Sequence, residues 1–378
     1  MSASLLEPRH LELADEMRRR AAVLEPSENK PYSDVALAVE VARLDCYRHL
    51  VPASYGGADQ AIEVRSICVV REELAYRNAA ADALFAVQGL GSHPLLLAAD
   101  EARKRVLLPR VAQGTALFAF ALTEPDAGSD VAAISTSARR DGDDYLLDGT
   151  KRFISNAGIA THYTVFARTA PGPRGLSAFV VPAHAPGLRV VPLEMLSQHP
   201  IGDLVLEGCR VTSSARLGAE GEGMKIALGT LDVFRTTVGA AAVGMARRAL
   251  DEAVAYAKHR HQFGAPLASL QGVQFLLAES AAEIDAARLL VHRAAAAKDS
   301  GAERVTYEAA VAKLFATEAA QRIIDRCLQV HGGVGVLKGN PLERLYRDIR
   351  ALRIYEGASE VLKLVIARQL FEQVADRR

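Results

Sequence analysis

Three short segments concentrate the side chains that could carry a reaction. In FALTEPDAGSD, Phe120 to Asp130, a strand runs into a turn crowded with Thr123, Glu124, Asp126, Gly128 and Ser129. Small hydroxyls and free backbone N–H groups at a strand end suit a planar polar ring or a phosphate; an ordinary polar turn is the other reading. In KRFISNAGIA, Lys151 to Ala160, Phe153 and Ser155 lie two apart on an expected strand and so share a face. An aromatic beside a hydroxyl could wall a flat cofactor, or Phe153 could be plain core. In RIYEGASE, Arg353 to Glu360, Glu356 follows Ile354 and Tyr355 and precedes Gly357. A carboxylate on a tight turn beside apolar walls is where a raised pKa, as a general base requires, is to be expected. The alternative is an acid sitting favourably near a helix N-terminus, with Ser359 as the cap of that helix.

Other chemistries lack their signatures. The sequence has no G-x-x-x-x-G-K-[ST], no H-E-x-x-H, no G-x-S-x-G and no G-x-G-x-x-G between a strand and a helix. A nucleotide cofactor would therefore need a mode other than the doubly wound fold. His259 and His261 flank Arg260, but two residues apart on a helix they face different ways, so no metal site is expected.

The elements that must position these segments come in three textures. Val35 to Leu50 reads as a helix, and helical texture resumes from Glu63 to Leu108 with interruptions near Gly89–Gly91 and Pro94. From about residue 117 to 213 the chain is short, β-branched and aromatic runs. Asp141-Gly142 is expected to form a hairpin turn and Asp148-Gly149 a second turn. Even spacing favours a small antiparallel sheet or barrel. From Met224 long Ala-rich amphipathic helices argue a bundle. The 378 residues carry 45 Lys+Arg and 45 Asp+Glu, so no net charge draws the chain to nucleic acid or an acidic membrane. Four scattered cysteines indicate neither a disulfide framework nor a zinc ribbon, and reduced cytoplasmic thiols are expected. Neither a signal peptide nor a transmembrane span is expected.

Together, in this order, the three segments resemble the acyl-CoA dehydrogenase family. So do AYAKHRHQFGAPLASLQGVQFLLAE (Ala255 to Glu279), QVHGGVGVLKGNPLERLYRD (Gln329 to Asp348), and YGG followed by an EELA helix (Tyr55 to Ala75). The resemblance implies an α+β, mainly helical fold: a helical N-terminal domain at 1–115, a central antiparallel β-domain at 116–215 and a C-terminal four-helix bundle at 216–378, assembled as a homotetramer or dimer. It implies FAD between the β-domain and the bundle, partly held by a neighbouring subunit. It implies oxidation of an acyl thioester of fatty acid metabolism to its trans-2-enoyl form, with electrons passed to an electron-transfer flavoprotein. Glu356 would be the base, and the β-hydride would go to flavin N5. Phe120, Leu122 and Thr123 would meet the flavin ring, Ser129 the FAD pyrophosphate, and Phe153 and Ser155 the isoalloxazine and its N5. Arg260, Gln262 and Phe263 would reach the pyrophosphate and adenine half across the subunit boundary, completed by Gln329, Gly332 and Gly333. Arg235 would support the catalytic loop; with Tyr355, Gly357 and Ser129 it is counted among the substrate-binding residues, and Ala83, Ala86 and Leu90 would stand near the closed end of the acyl pocket. Some members carry the base immediately before the position of Arg235; here that residue is Phe234, which leaves Glu356.

Two departures matter. Ala358 replaces the hydroxyl residue common after the catalytic Glu-Gly. In MLSQHPIGDLVLEGCRV, Ser197, His199 and Ile201 stand where Arg, Ser and Thr are usual. In the family that stretch lies near the pantetheine and nucleotide end of the thioester, so the departures point to an acyl or aminoacyl group on a carrier protein as the alternative substrate, or else to neutral drift in a surface loop. A flavin oxidase or monooxygenase on the same scaffold is a further alternative.

Overall fold

The computed structural model describes residues 5–25, 33–172 and 174–375. In chain order its helices are α1 (Pro8–Arg20), α2 (Asp34–Arg43), α3 (Val64–Arg77), α4 (Ala79–Ala98), α5 (Glu101–Ala112), α6 (Gly223–His259), α7 (Gln271–Asp299), α8 (Thr306–His331), α9 (Pro341–Leu352) and α10 (Ser359–Ala375). Its strands are β1 (Phe118–Ala121), β2 (Ser137–Asp141), β3 (Asp144–Ser155), β4 (His162–Arg168), β5 (Leu176–Pro182), β6 (Leu188–Leu193), β7 (Ile201–Thr212), β8 (Arg216–Leu217) and a small ribbon, β9 (His261–Gln262) with β10 (Ala265–Pro266). The chain divides into two compact units, one drawn from Met1–Pro31, Val64–Asp82 and Arg235–Arg378, the other from Tyr32–Glu63 and Ala83–Phe234.

The second unit is built on an eight-stranded sheet in the order β6-β7-β3-β2-β4-β5-β8, with β1 beside β4. All neighbours are antiparallel except β1 with β4, and a single parallel contact of β2 with β4. Tyr145, Leu147, Tyr163, Val165, Phe179 and Val181 fill the core on one face of this sheet. Asp141-Gly142 does turn the β2–β3 hairpin, with Gly142 at φ 64°. Asp148-Gly149 does not turn the chain. It is a bulge inside β3: the Asp148 carboxylate accepts from Gly208 N (2.6 Å), and Gly149 takes φ 147° where a Cβ would lie 2.8 Å from the Thr136 Cα.

Gly89, Gly91 and Pro94 do not interrupt a helix either; all lie within α4. The glycines serve close approach. A Cβ on Gly91 would stand 2.7 Å from the Ala119 amide nitrogen of β1, and one on Gly89 would stand 2.3 Å from the Phe234 ring. Gln88 ties α4 to the entry of β1, accepting from Phe118 N and donating to Ala116 O, each at 2.7 Å. The expected helix over Val35–Leu50 is shorter than its pattern: α2 ends at Arg43, and a 3-10 turn over Cys46–Leu50 follows Asp45 at φ 60°.

The first unit is helical. A Cβ on Gly239 of α6 would lie 2.7 Å from Val291 of α7 and 3.4 Å from Ala316 of α8, so small residues let three helices meet. Asp299, at the end of α7, accepts from the first amides of α3, Val64 N at 2.7 Å and Arg65 N at 3.0 Å, where an anion is favoured. By length and composition α6 could cross a membrane, but 72% of its apolar window is buried inside the protein.

Candidate active site

Glu356 stands on the turn between α9 and α10 with φ 52°, a left-handed conformation that costs a non-glycine residue about 1 kcal/mol or more. Gly357 follows at φ 106°. Several tethers hold this turn. Arg353 and Ser359, at its two ends, both donate to the Glu318 carboxylate of α8, at 2.9 and 2.5 Å. The Ser359 hydroxyl is therefore committed to Glu318. Within the turn, Arg235 Nε donates to the Glu356 carbonyl at 3.3 Å and Lys313 Nζ to the Gly357 carbonyl at 2.7 Å.

The Glu356 carboxyl is treated very differently from its backbone. Its Oε2 is fully buried and has no hydrogen-bond partner. Burial pushes the group up to about 7, against the opposing charges of Arg71, Lys313 and Arg235. Arg71 is itself wholly buried in α3. Its guanidinium makes two 2.8 Å bonds to Asp82 and one of 2.9 Å to the Thr237 hydroxyl. Such a fork-to-carboxylate pair fixes geometry as well as charge. The structure thus gathers Glu356, Tyr355, Gly357 and Arg235, and adds Arg71, Asp82 and Lys313, which the sequence reading missed. A signal for both cations was present. Arg71 sits in register with Ile67, Val70 and Leu74, and Lys313 with Ala309, Ala316 and Ala320: each is a charge on an apolar helix face, and a buried charge needs a reason.

On the sheet, Phe120 packs against Phe166 with ring centroids 4.9 Å apart, and Leu122 is buried. The Thr123 carbonyl accepts from Arg152 N of β3 at 2.8 Å. Beneath it lies a buried ion pair, Lys151 Nζ to Glu124 Oε1 at 2.7 Å. Glu124 also accepts from Ser135 N, Ser135 Oγ and Thr136 N, and Lys151 donates to the Leu122 carbonyl. Burial alone would raise Glu124, but the Lys151 charge and these donors hold it at about 2; burial brings Lys151 down to about 8, still protonated at pH 7. The pair binds the Leu122–Thr123 segment to β3. Ser129 is exposed, beside an open Gly128.

The regular alternation expected at Phe153 and Ser155 is broken. The register of β3 on β7 shifts between Lys151 and Ile154, and Phe153 adopts φ 57°. Ile154 takes the core position, whereas Phe153 is 57% exposed under the Arg152 guanidinium. A bulge re-aims a side chain in this way. Ser155 Oγ is 2.6 Å from His199 Nε2, and burial lowers His199 to about 4, so the imidazole is neutral at pH 7.

The remaining expected residues are open to solvent or line a helix face. Arg260, Gln262, Gln329, Gly332 and Gly333 are exposed, as is Phe263, at 94% and φ 54°. His261 is in β9, beyond the end of α6, and not on a helix with His259. A Cβ at Gly332 or Gly333 would touch nothing within 4 Å, so the backbone there is free to be approached. Ala83, Ala86 and Leu90 follow helical spacing along α4, with Ala86 and Leu90 buried. Phe234 is buried edge-on against His93, a core role.

The sequence matches the acyl-CoA dehydrogenase N-terminal domain over residues 10–115, the middle domain over 119–209 and the C-terminal domain over 221–371. A cyclohexane-1-carbonyl-CoA dehydrogenase of Geobacter metallireducens is 39% identical over 328 residues, 86% of each chain. Among solved structures, the butyryl-CoA dehydrogenase of Megasphaera elsdenii is similar with a TM-score of 0.90 and 32% identity, over 98% of this chain and 100% of that one. A glutaryl-CoA dehydrogenase of Mycobacterium smegmatis in complex with FADH2 gives 0.87 and 29%, over 97% and 95%.

Proposed function

The chain belongs to the acyl-CoA dehydrogenase family of FAD-dependent oxidoreductases, and from that premise we propose that Glu356 removes the α-proton of an acyl thioester as the α,β bond is oxidised. The observation that carries this reading is the buried, partnerless Oε2 of Glu356 in a group pushed up to about 7. A base must hold a proton well without being locked by other donors, and the best catalytic pKa lies near the working pH. The exposed Phe153 and the unobstructed backbone at Gly332 and Gly333 suit a flat ring and a nucleotide tail. FAD held there would supply the acceptor for the β-hydride.

The chain's own part is positional and electrostatic. Arg235 and Lys313 fix two consecutive carbonyls of the turn, so the carboxyl of Glu356 and its amide N–H are presented together. We assign that N–H to the thioester carbonyl, where negative charge develops as the α-proton leaves. Phe120, Leu122, Thr123, Ser129, Phe153 and Ser155 are assigned to the flavin and its phosphates, with Arg260, Gln262, Phe263, Gln329, Gly332 and Gly333 serving a neighbouring copy's FAD. The almost fully exposed aromatic at Phe263 supports a subunit contact there. An electron-transfer flavoprotein is the assigned acceptor.

A carrier-bound acyl or aminoacyl thioester is the second reading, favoured by one observation: His199, in the departing segment, is hydrogen-bonded to Ser155 and not free for a nucleotide. Anaerobic titration of the flavin-loaded protein with a panel of acyl-CoAs and matched acyl-carrier proteins tests both. Flavin bleaching by a CoA ester supports the first; bleaching only by carrier substrates replaces it with the second.

A further inference from the structure

Lys313 is wholly buried, and a buried ammonium is strongly disfavoured unless its charge and its donors are matched. Among the described residues it forms no ion pair within 4 Å, and its hydrogen bond goes to a neutral acceptor, the Gly357 carbonyl, at 2.7 Å. The other charges nearby are committed. Arg71 is neutralised by its two bonds to Asp82. Glu318 is taken by Arg353 and Ser359, Arg235 adds a like charge from α6, and Glu360 is exposed at the start of α10. The uncommitted buried carboxyl is Glu356, one residue before the carbonyl that Lys313 holds.

We propose that Lys313 is a positioning residue for Glu356: its ammonium clamps the turn through Gly357 and, alongside Arg71 and Arg235, supplies counter-charge to the Glu356 carboxylate. Two features support this. Glu356 and Gly357 both have positive φ, so the turn is held by its surroundings, not by its own preference. The two groups also influence each other's protonation: burial lowers Lys313 to about 8 with Glu356 opposing, and burial raises Glu356 to about 7 with Arg71, Lys313 and Arg235 opposing and Asp82 adding to the rise. Between those values both are charged and attract each other; at pH 5.5 Glu356 is neutral and that attraction is gone.

The inference rests on Glu356 being the base only for its kinetic consequence, so the test separates the two. Wild type, K313M, E356Q and K313M/E356Q are melted as flavin-loaded proteins at pH 7.5 and pH 5.5. The expected result is that, at pH 7.5, K313M lowers the melting temperature more in the wild-type background than in the E356Q background, and equally in both at pH 5.5. A cost of K313M at pH 7.5 that is the same in both backgrounds overturns the proposal. If K313M yields no folded protein, K313Q, which keeps a donor for Gly357 but no charge, enters the same cycle. In the active background, the rising limb of flavin bleaching by butyryl-CoA is expected to move up by at least about one pH unit in K313Q; an unmoved limb overturns the counter-charge. Normal turnover in E356Q would remove Glu356 as base while the melting cycle still reports on Lys313.

Discussion

Two glutamates, each buried near a lysine, end in opposite states. Glu124 receives Lys151 at 2.7 Å and three further donors, and is held at about 2. Glu356 has Lys313 one residue away on a backbone carbonyl, leaves Oε2 without a partner, and is pushed up to about 7. Burial is common to both; the number of donors on the carboxylate separates them. A carboxylate saturated with donors staples segments together, while one denied donors is left with an affinity for protons.

The contrast is broken most directly by removing each function. Glu356→Gln is expected to leave FAD bound and cut flavin bleaching by at least about a thousandfold, as loss of an essential proton acceptor does; near-normal bleaching would end the assignment. Lys151→Met should leave Glu124 buried and unpaired, destabilising the protein by about 3 kcal/mol in a denaturant titration and weakening FAD retention. A loss under about 1 kcal/mol would mean that the pair staples little.

The pH dependences have opposite signs. Glu356 is raised in the folded state, so its contribution to stability is full below about 4.5 and lost as pH rises through about 7. Glu356→Gln is therefore expected to gain roughly 3 kcal/mol at pH 8 and nothing at pH 4.5. Glu124 is depressed, so its contribution is present above about 4.5 and lost as pH falls towards about 2; Glu124→Gln should be costly at pH 7 and progressively less so in acid. Parallel melting profiles for the two variants would contradict the contrast. As a control remote from both carboxylates, Gly142→Ala should cost about 1 kcal/mol through its positive φ, with flavin spectra unchanged.

What could be read from sequence tracks how local each signal is. The Glu356 turn lies within RIYEGASE, and the hairpin at Asp141-Gly142 within two residues, so both were legible. Lys313 is 44 residues before the carbonyl it holds, and Arg71 is 166 residues from the Thr237 it binds; no window joins them. Gly89 and Gly91 looked like helix breakers because propensity counts their entropy, whereas packing needs their missing Cβ atoms. The β3 bulge was invisible because a period-2 pattern assumes an even strand, and Asp148-Gly149 looked like a turn because the same dihedral freedom serves both.

The bond from Val64 N to Asp299 joins residues 235 positions apart. On the ribosome, the sheet-bearing unit is complete once Phe234 has emerged. In the other unit, α3, which has α1 beside it, must then wait with its first amides uncapped and its α7-facing side uncovered until α7 has been synthesised. At bacterial or eukaryotic translation speeds that interval lasts seconds. During it the nascent chain offers a sticky amphipathic surface to chaperones, and premature termination before Asp299 would release a protein with one finished half and one that cannot close.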